Sequence, residues 1–438
     1  MKRKFYDTIN EWKSKFITTP LMIVGARQIG KTYLIEEFIK NEFTDLISIN
    51  LDFNEEIRAI FEDTLVPEEI IKRIELSLER KINIEETVIF FDEIQVSERA
   101  ISSLKYFCES NQPYKIICAG SLLGVKLRRF KSSFPVGKVR IEYMYPFDFE
   151  EFLLALGKQM WIDEIKNCYE KSEKIHIHDK LMQLYRIYLC IGGMPEGVKN
   201  FIDVGEDILL WDKKIISNIV TSYLADMNKY TLNGGESVKI EKVFNAIPAS
   251  LARESIDGER REKKKFKYTH IEKGANKHIF ESSIDWLISS KMIYKCTLVN
   301  DGQIPLKAYA QENYFKLYLN DVGLLTSLLK FDFADILLNR EFRFKGGISE
   351  NYVAQCFASK NMDLYYWTSG NEAEVDFLIS NQDGIIPVEV KAGEQTRSRS
   401  LNVFMAKYKS KYAIRISAKN FGFENNIKSV PLYATFCI

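Results

Sequence analysis

Over the first 155 positions, apolar residues follow two rhythms. Unbroken runs at 21–24 (LMIV) and 88–91 (VIFF), with 46–51 (LISINL) and 115–119 (KIICA), read as short strands. Runs of that kind suit strands buried on both faces of a parallel sheet. Between them the spacing turns helical, with Tyr33, Leu34, Ile35, Phe38 and Ile39 after the first run and Ile70, Ile71, Ile74, Leu76 and Leu78 before the third. The segment 144–154 (MYPFDFEEFLL) reads as a strand end, a proline turn and an acid-capped helix that closes the region. Alternating strands and helices predict an α/β domain with a parallel sheet and helices on both faces.

From 163 to 330 the pattern is mostly helical. Leu181, Leu184, Tyr185, Ile187, Tyr188 and Leu189 crowd one apolar face until Gly192 and Gly193 end the helix. The stretch 209–227 is a long amphipathic segment, expected to be a lid or coupling helix. Helical patterns at 240–247 and 281–290 then precede a strand-like run at 292–296, an order that suggests a winged helix. In the tail, 374–379 alternates with period two, and 387–391 is a second strand. The turn 381–384 (NQDG) joins them as a hairpin.

Candidate chemistry begins where the first strand ends. Gly25-Ala26-Arg27-Gln28-Ile29-Gly30-Lys31-Thr32 satisfies G-x-x-x-x-G-K-S/T at every fixed position, with a strand before it and a helix after. Gly25 and Gly30 are expected to allow turn conformations that point successive N–H groups at phosphate oxygens. Lys31 adds a full positive charge, and the following helix offers its positive end to the same oxygens. Thr32 would supply a hydroxyl to Mg²⁺.

Sixty residues after Thr32, the run at 88–91 ends in Asp92 and Glu93. Ligands collect at the carboxyl ends of parallel strands. Asp92 is therefore expected to hold Mg²⁺ and Glu93 to polarise an attacking water. Ser121, after the strand at 115–119, is a candidate sensor of the γ-phosphate; the alternative is that Gly120-Ser121 simply turns the chain. Lys126, Arg128, Arg129, Lys131, Lys138 and Arg140 form a basic stretch, most of it expected to be solvated loop. A second basic run, 259–267 (ERREKKKFK), reads more readily as solvated loop than as DNA contact.

The tail holds another constellation. Asp376 lies in the first strand of the hairpin, and thirteen residues later Glu389 and Lys391 share a face of the second. The hairpin would bring Asp376 close to Glu389. Two carboxylates can hold Mg²⁺, and Lys391 can stabilise charge or assist a water. This matches the D-x(n)-E-x-K core of the PD-(D/E)XK nucleases.

Composition narrows the classes. The 438 residues carry a formal charge of +1, so no global field advertises nucleic acid or membrane. Cys108, Cys118, Cys168, Cys190, Cys296, Cys356 and Cys437 are scattered without a C-x-x-C pair, as expected of reduced thiols in a cytoplasmic protein. His176 and His178 have no cysteine nearby and read as surface residues. The start of the chain lacks a signal-peptide core, and no apolar stretch approaches the length of a membrane span.

GARQIGKT, VIFFDE, AGSLLG, SFPVGKV, YPFDFEEFL, CIGGMPEGV and KLYLNDVGLL occur in an order that resembles the bacterial and archaeal AAA-type ATPases fused to a C-terminal domain of unassigned function. The resemblance covers nearly the whole chain. It implies an ATP-binding AAA-like module, a winged-helix segment and a nuclease-like tail of the restriction-endonuclease α/β type. It also gives Glu350, on an expected helix at 348–359, the place of the additional acid in the nuclease fold. Lys138 departs from the arginine of many relatives, and lysine cannot reproduce a bidentate fork.

The expected organisation is an ATPase domain at 1–160, a helical lid at 161–235, a winged-helix-like domain at 236–330 and a nuclease-like domain at 331–438. Two functions stay open at this point. One is a Mg²⁺-dependent ATPase whose nucleotide state gates a nuclease acting on DNA or RNA. The other is an ATP-dependent switch that binds a protein or DNA partner without cleavage.

Overall fold

The computed structural model describes residues 1–125, 134–229, 234–256, 265–340, 344–369, 373–394 and 398–438. Lys126, Arg128, Arg129 and Lys131 of the first basic stretch, and 259–264 of the second, lie outside the described residues. The chain divides into two compact units, Met1–Tyr145 with Ser289–Lys291, and Pro146–Ile288 with Met292–Ile438.

The first unit is built on a five-stranded sheet of β1 (Leu21–Val24), β2 (Asp45–Asn50), β3 (Thr87–Asp92), β4 (Lys115–Gly120) and β5 (Arg140–Tyr143), in the order β2-β3-β4-β1-β5. Every pairing is parallel. Every residue of β1 and β3 is buried, as their unbroken apolar runs require. One face packs Ile47, Ile89, Phe91 and Ile116 against Ile57, Phe61, Ile70, Ile74, Ile101 and Leu104 from three helices. Phe61 meets Phe91 edge to face with ring centroids 5.5 Å apart. Each such side chain contributes about 1.5–3 kcal/mol by leaving water. The helix Lys31–Glu42 springs from the end of β1 and buries Leu34, Ile35, Phe38 and Ile39 of the positions its spacing marked, while Tyr33 is exposed.

The second unit opens with the helix Phe149–Ala155, whose start is fixed by a capping box between Asp148 and Glu151. Helices Gln159–Lys171, His178–Ile191, Pro195–Asp203, Lys214–Lys229, Gly234–Ile256 and Lys277–Ser289 follow. Then comes a mixed eight-stranded sheet of β6 (Ile293–Val299), β7 (Ala310–Leu319), β8 (Leu364–Thr368), β9 (Glu374–Asn381), β10 (Gly384–Val390), β11 (Ala413–Ser417), β12 (Gly422–Glu424) and β13 (Ile427–Pro431). Its order is β12-β13-β11-β10-β9-β8-β6-β7. Two helices followed by the antiparallel ribbon β6-β7 is the element order that suggested a winged helix. That ribbon is continuous with the tail sheet, because β6 also pairs with β8 in parallel. The helix Lys345–Ala358 is buried along almost its whole length and carries Glu350.

Candidate functional sites

At the end of β1 the chain makes a tight loop before the helix at Lys31. Gly30 has φ 86° and caps that helix in a left-handed conformation, while the second left-handed residue of the loop is Gln28, at φ 60°. Gly25 has no such φ. Its need for glycine is spatial: a Cβ there would collide with the carbonyl oxygen of Met144 and with Ile29 Cδ1. Met144 is fixed in turn, its N–H donating to Val24 O at 2.8 Å. The expectation that both glycines serve turn geometry therefore holds for Gly30 and is replaced at Gly25 by close packing.

The Lys31 ammonium is buried and folds back over the loop, donating to Gly25 O at 3.0 Å and Ala26 O at 2.8 Å. Arg27 and Gln28 are exposed, Ile29 is buried, and Thr32 faces solvent at the first turn of the helix. Its hydroxyl donates to Asp92 Oδ2 across 2.9 Å, joining the loop to the end of β3. Burial raises the Asp92 carboxyl above the ordinary aspartate value; the Thr32 bond opposes the shift and the charge of Glu93 adds to it. A hydroxyl and a carboxylate oxygen side by side form a donor set of the kind hard divalent cations take.

Glu93 adopts a left-handed backbone, φ 51° and ψ 39°, as the chain turns out of β3. Gln95, fully buried, donates its amide to the Glu93 carboxylate, and its own Oε1 has no hydrogen-bond partner. Nothing in the residues around Gln95 singles it out. The same holds for Arg3, whose buried guanidinium donates to Ile29 O at 3.1 Å and Tyr145 O at 2.6 Å, tying the start of the chain to the loop. Ser121 is buried just after β4, the strand between β1 and β3. Of the other cations considered, Lys138 pairs with Glu109 at 3.1 Å, and Arg140 with Glu11 at 2.8 Å and Glu142 at 2.7 Å.

In the second unit the β9-β10 hairpin pairs Gly384 with Asn381 and Val388 with Phe377, which carries Glu389 to the level of Asp376. Asp376 Oδ2 accepts the N–H of Val390 at 2.8 Å. Lys391 pairs with Glu389 Oε1 at 3.0 Å, while the buried Glu389 Oε2 has no hydrogen-bond partner. The hairpin register sets Glu389 opposite Asp376. Glu350 is differently engaged: Lys316 Nζ, from β7, lies 2.8 Å from Glu350 Oε1 and 2.9 Å from Glu374 Oε1, and the Tyr318 hydroxyl also donates to Glu350. Among the described residues, no group of three or more His, Cys, Asp or Glu side chains is placed to hold a metal ion.

A third polar cluster joins two loops of this unit. Asp321 is fully buried and accepts N–H bonds from Gly193 at 2.6 Å, Gly323 at 2.9 Å and Leu324 at 3.2 Å. Gln355 donates to the Tyr188 hydroxyl at 3.0 Å and accepts from Val322 N–H at 3.0 Å. His178 is not a bare surface residue, since its ring bonds to the Tyr433 hydroxyl and Ala418 O at 2.8 and 3.0 Å.

This loop, strand and carboxylate geometry is that of a P-loop nucleotide-binding domain. In agreement, residues 18–153 match the AAA domain family. Residues 182–335 match a domain of unknown function (DUF8612), and 345–435 match another (DUF4143). Among solved structures the chain is similar to the Walker-type ATPase paby2304 of Pyrococcus abyssi, with 14% identity, a TM-score of 0.42, and 75% of this chain and 95% of that one covered. It is also similar to the STAND protein PH0952 of Pyrococcus horikoshii, which carries a tetratricopeptide repeat sensor. Identity there is 13% and the TM-score 0.29, over 82% of this chain and 45% of that one. A third is Cdc6p of Pyrobaculum aerophilum, at 10% identity and a TM-score of 0.25, over 74% of this chain and 93% of that one. No curated protein matches the chain. Among the described residues no helix is long and apolar enough to cross a membrane.

Proposed function

We propose that the first unit binds and hydrolyses ATP with Mg²⁺, and that its nucleotide state controls the tail, which acts on DNA or RNA in the cytoplasm. The observation that carries the ATPase reading is the 2.9 Å bond between Thr32 and Asp92, which closes the loop onto the β3 carboxylate. The backbone of Gly25, Ala26, Arg27, Gln28, Ile29 and Gly30 wraps the phosphates, and Lys31 exchanges its loop carbonyls for phosphate oxygens. Thr32 and Asp92 would hold Mg²⁺, which would supply positive charge beside the phosphates. Glu93, oriented by Gln95, takes the proton of the attacking water, and Ser121 contacts the γ-phosphate.

In the tail, Asp376 and Glu389 would share a Mg²⁺ ion, Lys391 would stabilise charge on a scissile phosphate, and Glu350 is the additional acid that the family resemblance implies. A second reading is a binding switch without cleavage; it is favoured by the engagement of Glu350 with Lys316.

The deciding experiment incubates labelled single- and double-stranded DNA and RNA with Mg²⁺ or Mn²⁺, with and without ATP, comparing wild type with Asp376→Ala. Metal-dependent cutting lost in the variant supports the nuclease. Intact ATP turnover with no cutting supports the switch, and ATP binding that survives Lys31→Ala overturns the P-loop assignment.

A further inference from the structure

One face of the tail sheet carries a row of polar side chains. Glu389 on β10 is paired with Arg415 on β11, and Arg415 with Ser429 on β13. Ser429 is paired in turn with Gly422 on β12. Paired residues project from the same face of a sheet, on strands about 4.8 Å apart. Arg415 therefore stands one strand from Glu389 and on the same side as that acid. It is 9% exposed, and its two terminal nitrogens donate to Ser398 Oγ at 3.3 Å and Ser429 Oγ at 2.8 Å. Neutral hydroxyls accept these bonds without cancelling the guanidinium charge, and each keeps an O–H to donate.

A recess of about 810 Å³ opens against this group. Among the described residues that line it, Lys174, Arg415 and Lys419 are cations and Glu424 is the one acid. Its wall is fixed where Asn420 exchanges two hydrogen bonds with the backbone of Ile175, both at 3.0 Å. Gly422 lines it as well, and a Cβ there would meet nothing within 4 Å, so the recess reaches the sheet beside Ser429. We propose that this recess binds a phosphate of a single-stranded nucleic acid, held by the Arg415 fork and the O–H groups of Ser398 and Ser429. A planar guanidinium matches phosphate oxygens, and the cationic lining attracts the rest of the strand. Arg415 lies below the surface, where a flexible single strand can deliver a phosphate and a stiff, wider duplex cannot. The inference rests on the reading that the tail acts on nucleic acid and names how the strand is seated: with one phosphate against Arg415, a neighbouring one lies toward Glu389 and Asp376.

The test is the fluorescence anisotropy of a labelled oligothymidylate, about 15 nucleotides long, titrated with the full chain in EDTA so that nothing is cut. Wild type is expected to bind with an affinity that falls as salt rises. Arg415→Gln should bind several-fold more weakly, with a log–log salt slope shallower by about 0.7, the loss of one phosphate contact on a single strand. Arg415→Lys, which keeps the charge but not the fork, should lie between them in affinity and keep the wild-type slope. An arginine that only braces the fold would lower Tm and leave the slope unchanged, and that outcome overturns the proposal, as does a wild type that binds no strand. Should Arg415→Gln not fold, Gly422→Ile fills the recess from the neighbouring strand with Arg415 and its serines intact. It is expected to weaken binding likewise, and full affinity in it overturns the proposal. Equal Arg415 dependence for a duplex overturns the choice of a single strand. Failure of the nuclease-like reading looks different: the Arg415 effect on binding stands, while cutting with Mn²⁺ is absent or indifferent to Asp376→Asn.

Discussion

Arg3 donates to the carbonyl of Ile29, twenty-six residues ahead, across 3.1 Å. Its second nitrogen holds Tyr145 O at 2.6 Å, so one guanidinium fixes the phosphate loop against the segment after β5. Hydrogen bonds from a charged donor contribute about 1.5–3 kcal/mol. Arg3→Ala is expected to lower Tm and to raise the KM for ATP several-fold with a smaller change in kcat. Arg3→Lys, which can reach one of the two carbonyls, recovers part of the loss. Steady-state ATPase kinetics decide it, and an unchanged KM in Arg3→Ala would remove the residue from loop positioning.

The Glu93 carboxylate accepts from the buried Gln95 amide. Glu93→Gln is expected to keep ATP binding and lose turnover by about 10²–10⁴-fold, the range for a lost general base. Gln95→Leu leaves the carboxylate present but unaimed, so kcat should fall less steeply, on the order of 10-fold, at unchanged KM. Equal kcat in wild type and Gln95→Leu would sink the orienting role.

Gly25→Ala tests the packing account of the loop. The added methyl meets the backbone carbonyl of Met144, whose N–H is bonded to Val24 O, so it cannot be accommodated by a side-chain rotation. Overpacking of this kind costs about 1–3 kcal/mol. Calorimetry of nucleotide binding should show affinity lost along with Tm; full affinity would mean that the loop relaxes.

Asp321 makes stability depend on pH. Burial raises its pKa from 3.8 to about 6 against the pull of its N–H bonds from Gly193, Leu324 and Gly323. Because the folded value lies above the unfolded one, the folded chain binds the extra proton between them, and stability falls as pH rises from about 4 to about 6. Asp321→Asn cannot ionise, so relative to wild type it should gain stability over that window, by on the order of 3 kcal/mol. Denaturant melts at pH 4, 5, 6 and 7 give the difference, and a constant gap would refute the assignment.

What the sequence made legible was local. The P-loop, the strand ending in Asp92 and the hairpin from Asp376 to Glu389 each rest on a few consecutive residues, and four strands of the parallel sheet show as short runs, while β5 (RIEY), only half-buried, did not announce itself. What it hid was long-range. Nothing near Gly25 announces the Met144 carbonyl, and Arg3 looks like one more charge in a basic start. Lys316 stands in an apolar run, KLYLND, whose partners come from 350 and 374. A strand pattern reports which side a residue faces, but a buried cation is understood only when its counter-charges arrive from other elements. The ribbon at β6-β7 was visible as a ribbon, while its parallel pairing with β8 depends on a strand some 65 residues further on.

The bond between Asp321 and Gly193 also constrains how the chain can change over generations. A Cβ at Gly192 would strike the Asp321 carboxylate, one at Gly323 would strike the Ile191 carbonyl, and Gln355 braces the same turn. Exchanging either glycine alone makes two atoms overlap, and losing Gln355 takes the acceptor from the buried Val322 N–H. A side chain at Gly192 or Gly323 can therefore be accommodated only together with changes around the atoms it would strike, more than a hundred positions away along the chain.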